Sequence, residues 1–370
     1  MRARRLGLAA IALVLIGAVA LAAGPRAGLL LAIGLGFGLV LEGLRFGFAG
    51  PWRVMLAERD ARGLLAQLLA IGLTAAVIFP LLAANPLELS PAHAPIGTGM
   101  ILGAFIFGAA MQVVMGCGSG TLVNAGSGNQ IGLMALAGFV AGAFLGTLHT
   151  EFWSGLGRLP VTSAQSLAGP MGGLGLTLVA LALLAGGIAL RAAPGKRRPP
   201  ARLILAAVLL AGLAVANLVV AGQTWGIVYG LGLWGAKVAQ ATGADLSGVA
   251  FWAAEANATR LNASVLTDVT SLTDIGLILG AFLVMRGRTE PGAPSMALAW
   301  RGWGLVLLAG IVLGYSSRMA LGCNVGAFFS GISSGSLHGW AWFAAAFVGS
   351  ALGLKLRPLV LIKPRLAVTA

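Results

Sequence analysis

Ten apolar runs of membrane-spanning length divide this chain of 370 residues. They fall at 6–23, 27–44, 63–84, 96–116, 131–150, 171–191, 202–222, 264–286, 302–322 and 338–356. A helix needs about 20 apolar residues to cross a hydrocarbon layer, and a soluble core has no use for so many runs of that length. Inside the layer every backbone N–H and C=O needs a partner within the protein, so such runs fold as helices. The expected fold is an all-α polytopic membrane protein of about ten spans. Between Trp225 and Ala258 lie two shorter, more polar pieces, which read as broken or re-entrant helices. Composition agrees, with 58% hydrophobic and 9% charged residues and a mean hydropathy of +0.95.

A net charge of +14 would suggest nucleic acid in a soluble protein. Here the charges cluster in the connections, at 2–5, 45–62, 191–202, 286–301 and 355–365. Lys and Arg in short connections mark the cytoplasmic side, so the bilayer is the implied partner and nucleic acid is not. The first 24 residues have a basic start and end in Ala20-Leu21-Ala22-Ala23, as a cleaved signal would. A helical hairpin follows directly, which favours a retained span. No phosphate-binding glycine loop for ATP is present.

The chain has two cysteines, and both interrupt apolar runs. Met115-Gly116-Cys117-Gly118-Ser119-Gly120 and Leu321-Gly322-Cys323-Asn324-Val325-Gly326 each lead into a stretch of Gly, Ser and Asn. Glycine beside a cysteine permits unusual backbone angles and close approach of other groups. A helix broken there frees N–H groups that must line a cavity or meet a ligand. The amides of Gly118, Ser119 and Gly120, and of Asn324, Val325 and Gly326, form a candidate anion nest. Further donors follow in Thr121, Asn124, Ser127 and Asn129, and in Ser330, Ser333, Ser334, Ser336 and His338. A thiol is a polarisable weak donor and acceptor, suited to holding a sulfur-bearing ligand briefly. The plainer reading is a small apolar residue packed among glycines. The symmetrical placement of both cysteines favours a thiol-lined path.

The two loops are related by more than cysteine. A shift of 206 positions lays Gly108 on Gly314, Gly116 on Gly322, Cys117 on Cys323 and Gly120 on Gly326. One extra residue then lays Gly128 on Gly335, Gly132 on Gly339, Gly142 on Gly349 and Gly146 on Gly353. With 45–62 and 286–301 on the cytoplasmic side, span 96–116 runs inward to Cys117 and span 302–322 runs outward to Cys323. The expected repeats are therefore inverted, provided that the 225–258 region crosses an even number of times; transporters of this build bind substrate near the midplane at broken helices. The chain divides into an N-terminal membrane half (1–192, first cysteine loop 115–129), a basic Pro-rich linker (193–201) and a C-terminal half (202–370, second loop 321–338).

Other polar residues lie in or near spans. Lys237 attracts an anion, pairs with a carboxylate or reaches for the interface. Asp268 and Asp274 stand near a span start, where one of them caps the helix. Gln112 and Arg318 precede the two loops by about one turn, placed to meet substrate or brace the break. Trp300, Trp303, Trp340 and Trp342 read as interfacial anchors, and His338 as an interface residue. The three histidines show no metal-ligand spacing with the cysteines, and Cys117 is not centred in a nucleophile elbow. Neither a metal, a cofactor nor an enzyme activity is implied.

The run 322–340, with Gly322-Cys323-Asn324-Val325-Gly326 and Ser333-Ser334-Gly335-Ser336-Leu337-His338-Gly339-Trp340, resembles a signature of the YeeE/YedE membrane protein family. Gly116-Cys117-Gly118-Ser119-Gly120 resembles its other signature. Thr224-Trp225-Gly226-Ile227, Leu233-Trp234-Gly235-Ala236-Lys237 and Asp268-Val269-Thr270-Ser271 with Gly276 are also similar. The resemblance implies a bacterial inner-membrane importer of sulfur compounds, thiosulfate among them, with selenium-linked members. It implies that Cys117 and Cys323 pass the anion by transient hydrogen bonds, and that a small cytoplasmic TusA-like sulfur carrier is a partner. Thiosulfate-transporting members carry a further cysteine in an early motif; the corresponding stretch here, Arg45-Phe46-Gly47-Phe48-Ala49-Gly50, has none. Two rival functions follow from the residues: a membrane sulfurtransferase using a cysteine persulfide, and a channel for a small neutral solute in which the cysteines only pack.

Overall fold

A computed structural model describes residues 2–288 and 300–360. The helices are α1 (Arg2–Ala23), α2 (Pro25–Gly43), α3 (Ala49–Glu58), α4 (Arg62–Ala84), α5 (Thr98–Val113), α6 (Gly118–Gly126), α7 (Gln130–Leu148) and α8 (Thr150–Gly155). They continue as α9 (Ala164–Arg191), α10 (Ala201–Ala221), α11 (Val228–Ala241), α12 (Ala250–Ala253), α13 (Glu255–Asn262), α14 (Val269–Gly287), α15 (Trp300–Met319) and α16 (Leu337–Val360). A π-helical segment, Asn324–Gly331, precedes α16. Ten helical stretches are long and apolar enough to span a membrane, two of them counted as α5 with α6 and α15 with the π-helical segment, in agreement with the hydropathy of the sequence. The basic stretches expected at 286–301 and 355–365 lie outside the described residues at 289–299 and from 361 onward.

Lipid is as apolar as leucine, so helices in a bilayer associate through close packing, and small residues provide it. In this protein glycine does so at three helix pairs. Gly108 of α5 meets the Ala346 backbone of α16, while Gly349 and Gly353 of α16 meet Phe105 and Ala109 of α5. Gly138 and Gly142 of α7 lie on Leu307 and Ile311 of α15, and Gly310 and Gly314 return the contact to Ala135 and Phe139. Gly34 and Gly38 of α2 interlock in the same way with Gly276 and Gly280 of α14. A Cβ at any of these positions would collide with facing backbone.

The two cysteine breaks have one backbone design. α5 ends and Met115 turns left-handed at φ 59°, while Gly116 N–H donates to Met111 O at 3.1 Å. α15 ends and Leu321 turns left-handed at φ 56°, while Gly322 N–H donates to Ser317 O at 2.9 Å. Cys117 and Cys323 are both extended and both serve as N-caps, their carbonyls accepting from Thr121 and Ala327 N–H at 2.8 Å each. Gly128 and Gly335, at φ 78° and 87°, end the short segments. The unusual backbone angle before each cysteine thus falls on Met115 and Leu321, a costly conformation for side-chain-bearing residues. The expectation that the flanking glycines carry it holds in the second loop for Gly322 (φ 149°).

One connection differs from expectation, and another holds to it. The basic stretch 45–62 contains α3, whose Trp52 is fully buried against Phe328, Phe343 and Trp342. The 225–258 region contributes α11, α12 and α13, none of spanning length. α10 starts beside the basic linker, and α14 ends at Gly287, with Arg286 in its last turn and Arg288 paired to Glu42 at 2.7 Å. The chain therefore leaves α10 and enters α14 on the face opposite those charges, without a net crossing between them. The linker is pinned to the α3–α4 turn by Lys196 on Glu58 (3.1 Å) and by Ala193 N–H on Arg59 O (2.9 Å).

Substituting Gly142→Leu should force α7 and α15 apart and destabilise the protein by about 1–3 kcal/mol. A lowered melting temperature of the purified protein, beside an unaltered one for Gly187→Leu, where a Cβ meets nothing, is the expected readout.

Candidate functional site

Four short helices begin at breaks that converge on the two thiols. Besides the cysteine loops these are the turn before α3 and the turn before α11. Gln112 at the end of α5 donates to Ala49 O at 3.2 Å. Ser330 of the π-helical segment donates to Trp225 O at 2.7 Å. A Cβ on Gly118 would stand 2.9 Å from the Cys323 sulfur and 3.6 Å from Ile227 Cγ2. The second thiol is therefore packed on the first residue of the other loop's helix.

Both thiols are free and fully buried, and Cys117 Sγ lies 3.4 Å from Ser119 Oγ. They sit at helix N-termini, where unpaired N–H groups and the helix dipole favour negative charge. An aromatic wall closes around them: Trp225 stacks on Phe37 at 3.8 Å, and Phe329 meets Trp225 at 5.8 Å and Phe48 at 6.1 Å. Asn324, next to Cys323, is fully buried with both amide atoms unpartnered among the described residues. Buried polar atoms of that kind call for water or a ligand.

A cavity of about 800 Å³ leads to this junction from the basic face. Glu42, Arg45 and Arg288 stand in its wall, and Gly116, Ser119 and Gly120 line it close to Cys117. Asn124, Ser127 and Asn129 add amide and hydroxyl groups. On the other face the far end of the π-helical segment is covered. His93 Nε2 and Gln165 Nε2 both reach Ser334 O, at 2.9 and 2.8 Å, and Ala92 N–H donates to Ser334 Oγ at 3.1 Å. Ser90 N–H holds the same strap to Gly222 O at 2.8 Å.

The structure distributes the residues singled out from sequence between the junction and its supports. Gly116, Cys117, Gly118, Ser119, Gly120, Gly322, Cys323, Asn324 and Ser330 belong to the junction, with open space beside Gly326. Ser333 and Ser334 turn back on the Ser330 carbonyl at 3.4 and 2.7 Å and brace the segment. His338 is buried, not interfacial, with Nδ1 2.6 Å from Ser336 Oγ. Lys237 places Nζ on the carbonyls of Leu261 and Ala263, both at 2.6 Å, so it closes the end of α13 and makes no carboxylate pair. Asp268 caps α14 through Ser271 N–H at 2.7 Å. Arg318 lies away from the vestibule, against Tyr229 and Phe251. Among the tryptophans, Trp300 is 79% exposed as an anchor should be, but Trp342, Trp52, Trp225 and Trp252 are core residues. The aromatic wall and α3 escaped the sequence reading; the only signal for them was Phe48 and Trp52 within a charged stretch.

Gly118→Ala should push the Cys323 thiol off its seat. The expected result is slower labelling of Cys323 by a membrane-permeant maleimide, read by mass spectrometry, at unchanged abundance.

A family model described as "Sulphur transport" matches residues 44–352, a span that includes all four breaks. The "Probable transporter YedE" of Escherichia coli is 25% identical over 146 residues, 39% of this chain and 35% of that protein. The "Probable transporter YedE" of Salmonella typhimurium is 41% identical over 54 residues, 15% of this chain and 14% of that protein. The chain thus matches about a third or less of the length of these curated relatives.

Proposed function

We propose, because the chain belongs to the sulphur transport family, that it imports a small sulfur-containing anion through the junction of the two cysteine loops. The observation that carries this reading is the pair of free thiols at facing helix N-termini, reached from a cavity with arginines in its wall. Amides at those N-termini stabilise the anion's charge. The thiols offer weak, polarisable contacts that hold a sulfur ligand without trapping it. Thiosulfate is the first candidate, with a related sulfur or selenium species as the alternative.

The basic connections favour a cytoplasmic position for the cavity, in a bacterial inner membrane. Substrate then leaves past Cys117, Ser119 and Gly120 into the cavity, where a small cytoplasmic TusA-like carrier would receive it. The matched backbone of the two breaks and the reciprocal glycine contacts support inverted repeats related across the membrane plane. The early stretch Arg45–Gly50 supplies Phe48 and Ala49 rather than a thiol, so the relay has two sulfur atoms.

Uptake of labelled thiosulfate into cells lacking their own sulfur importers tests this reading. Wild type should accumulate label, and Cys117→Ala and Cys323→Ala should each lose uptake at normal membrane abundance. Uptake untouched by either substitution would reduce the cysteines to packing, and a stable sulfur adduct on either thiol would favour transfer chemistry.

A further inference from the structure

Inside α14, past its N-cap Asp268, lies a second carboxyl that the path described so far does not use. Asp274 is fully buried, and neither of its carboxyl oxygens has a hydrogen-bond partner among the described residues. We infer that Asp274 is a proton-binding site that couples import of the anion to the entry of a proton. This inference rests on the import reading above.

The carboxyl stands about one helical turn from the thiols. Its Oδ2 is 2.8 Å from where a Cβ on Gly230 of α11 would be. Three residues earlier in the same chain segment, Ile227 Cγ2 lies 3.6 Å from the Cβ position of Gly118, the position on which the Cys323 sulfur is seated. Three helical residues advance about 4.5 Å. On the inner side, α6 packs on the next turn of α14, with Gly126 against Ile278 O. The same α6, which starts at Cys117, lines the vestibule with Val123, Asn124 and Ser127.

No charge on the elements packed against α14 is paired with Asp274. On α2, Arg26 is held by the carbonyls of Val220 and Ala221, and Glu42 by Arg288. On α11, Tyr229 donates to Asn257 Oδ1 and Lys237 to the carbonyls of Leu261 and Ala263. α1 has ionisable residues in its first turn alone, and α6 has none beyond the thiol of Cys117 that precedes it. Asp268 is spent on the Ser271 N–H. Arg318 lies across α11, at Gly232, two residues from Gly230 and so on the opposite face of that helix.

An ionised carboxylate enclosed in a membrane span without donor or cation is costly, and the neutral acid is the form that fits there. A proton also needs no room, whereas a metal cation needs several oxygen ligands around it. The nearby hydroxyls are committed elsewhere. Thr273 Oγ1 donates to Thr270 O at 2.9 Å, Ser271 Oγ accepts from Trp234 Nε1 at 2.9 Å, and Thr270 Oγ1 accepts from Gln223 Nε2 at 3.3 Å. When ionised, Asp274 repels a divalent anion at the thiols; when neutral it does not. Anion and proton therefore favour each other's binding. An inside-negative potential opposes entry of the anion, and each proton carried along cancels one unit of its charge. The proton passes to water once α6 moves and the junction opens on the vestibule, and the carboxylate takes the next one from the outer side.

Infrared difference spectra of the purified protein in lipid read the carboxyl directly. Wild type should show a carboxylic acid C=O band that disappears as pH is raised, and Asp274→Asn should lack it. Thiosulfate should move that disappearance to higher pH. In proteoliposomes with the membrane potential held at zero, thiosulfate should bring protons inward, read by an enclosed pH dye. Each unit of acid-outside pH gradient should raise the accumulation ratio about tenfold, as one proton per anion requires. Any thiosulfate entry left in Asp274→Asn should be independent of pH and bring no protons. No titrating band in wild type, or the same band in Asp274→Asn, overturns the site. Thiosulfate entry without protons in wild type overturns it too, a result that needs no variant to fold. A titrating Asp274 band with neither a thiosulfate shift nor thiosulfate uptake counts against the import reading alone.

Discussion

Backbone hydrogen bonding in hydrocarbon is the constraint from which this structure follows. A helix that stops inside a membrane leaves N–H and C=O groups with no water to turn to. This protein stops helices there twice, at the cysteine breaks after α5 and α15, and brings those stops together with the turns before α3 and α11. Each cysteine break then supplies a partner for a neighbouring turn: Gln112 braces Ala49 and Ser330 braces Trp225. The unsatisfied groups of one segment become the solvent of the next. Helix N-termini that point at one small volume favour negative charge there.

The surrounding helices make that arrangement possible by packing without side chains between them. Glycine at the α5–α16, α7–α15 and α2–α14 crossings allows backbone to meet backbone. Dispersion contacts at that distance replace the hydrophobic drive that lipid removes. Rigid outer pairs of this kind can hold a junction whose own backbone is strained, as at Met115 and Leu321.

The spans and the two cysteine breaks were legible in the sequence because they are written in one-dimensional signals: run length, and glycine beside cysteine in an apolar run. What sequence concealed was any feature whose meaning is its partner. α3 stayed hidden because Arg53, Glu58 and Arg59 dilute its hydropathy, although Trp52 lies at the centre of the aromatic core. Trp300 and Trp342 look alike as letters; one is exposed and the other fully enclosed. Lys237 suggests a carboxylate partner, but two carbonyls at the C-terminal end of α13 accept its hydrogen bonds. The π-helical turns of 324–331 have no periodicity that an α-helical reading would detect.

The seat of the Cys323 sulfur on Gly118 has a mechanical consequence. That contact is shared by two segments that lie far apart in the chain. Neither loop can shift without changing the shape that the other presents, so the two behave as one mechanical part.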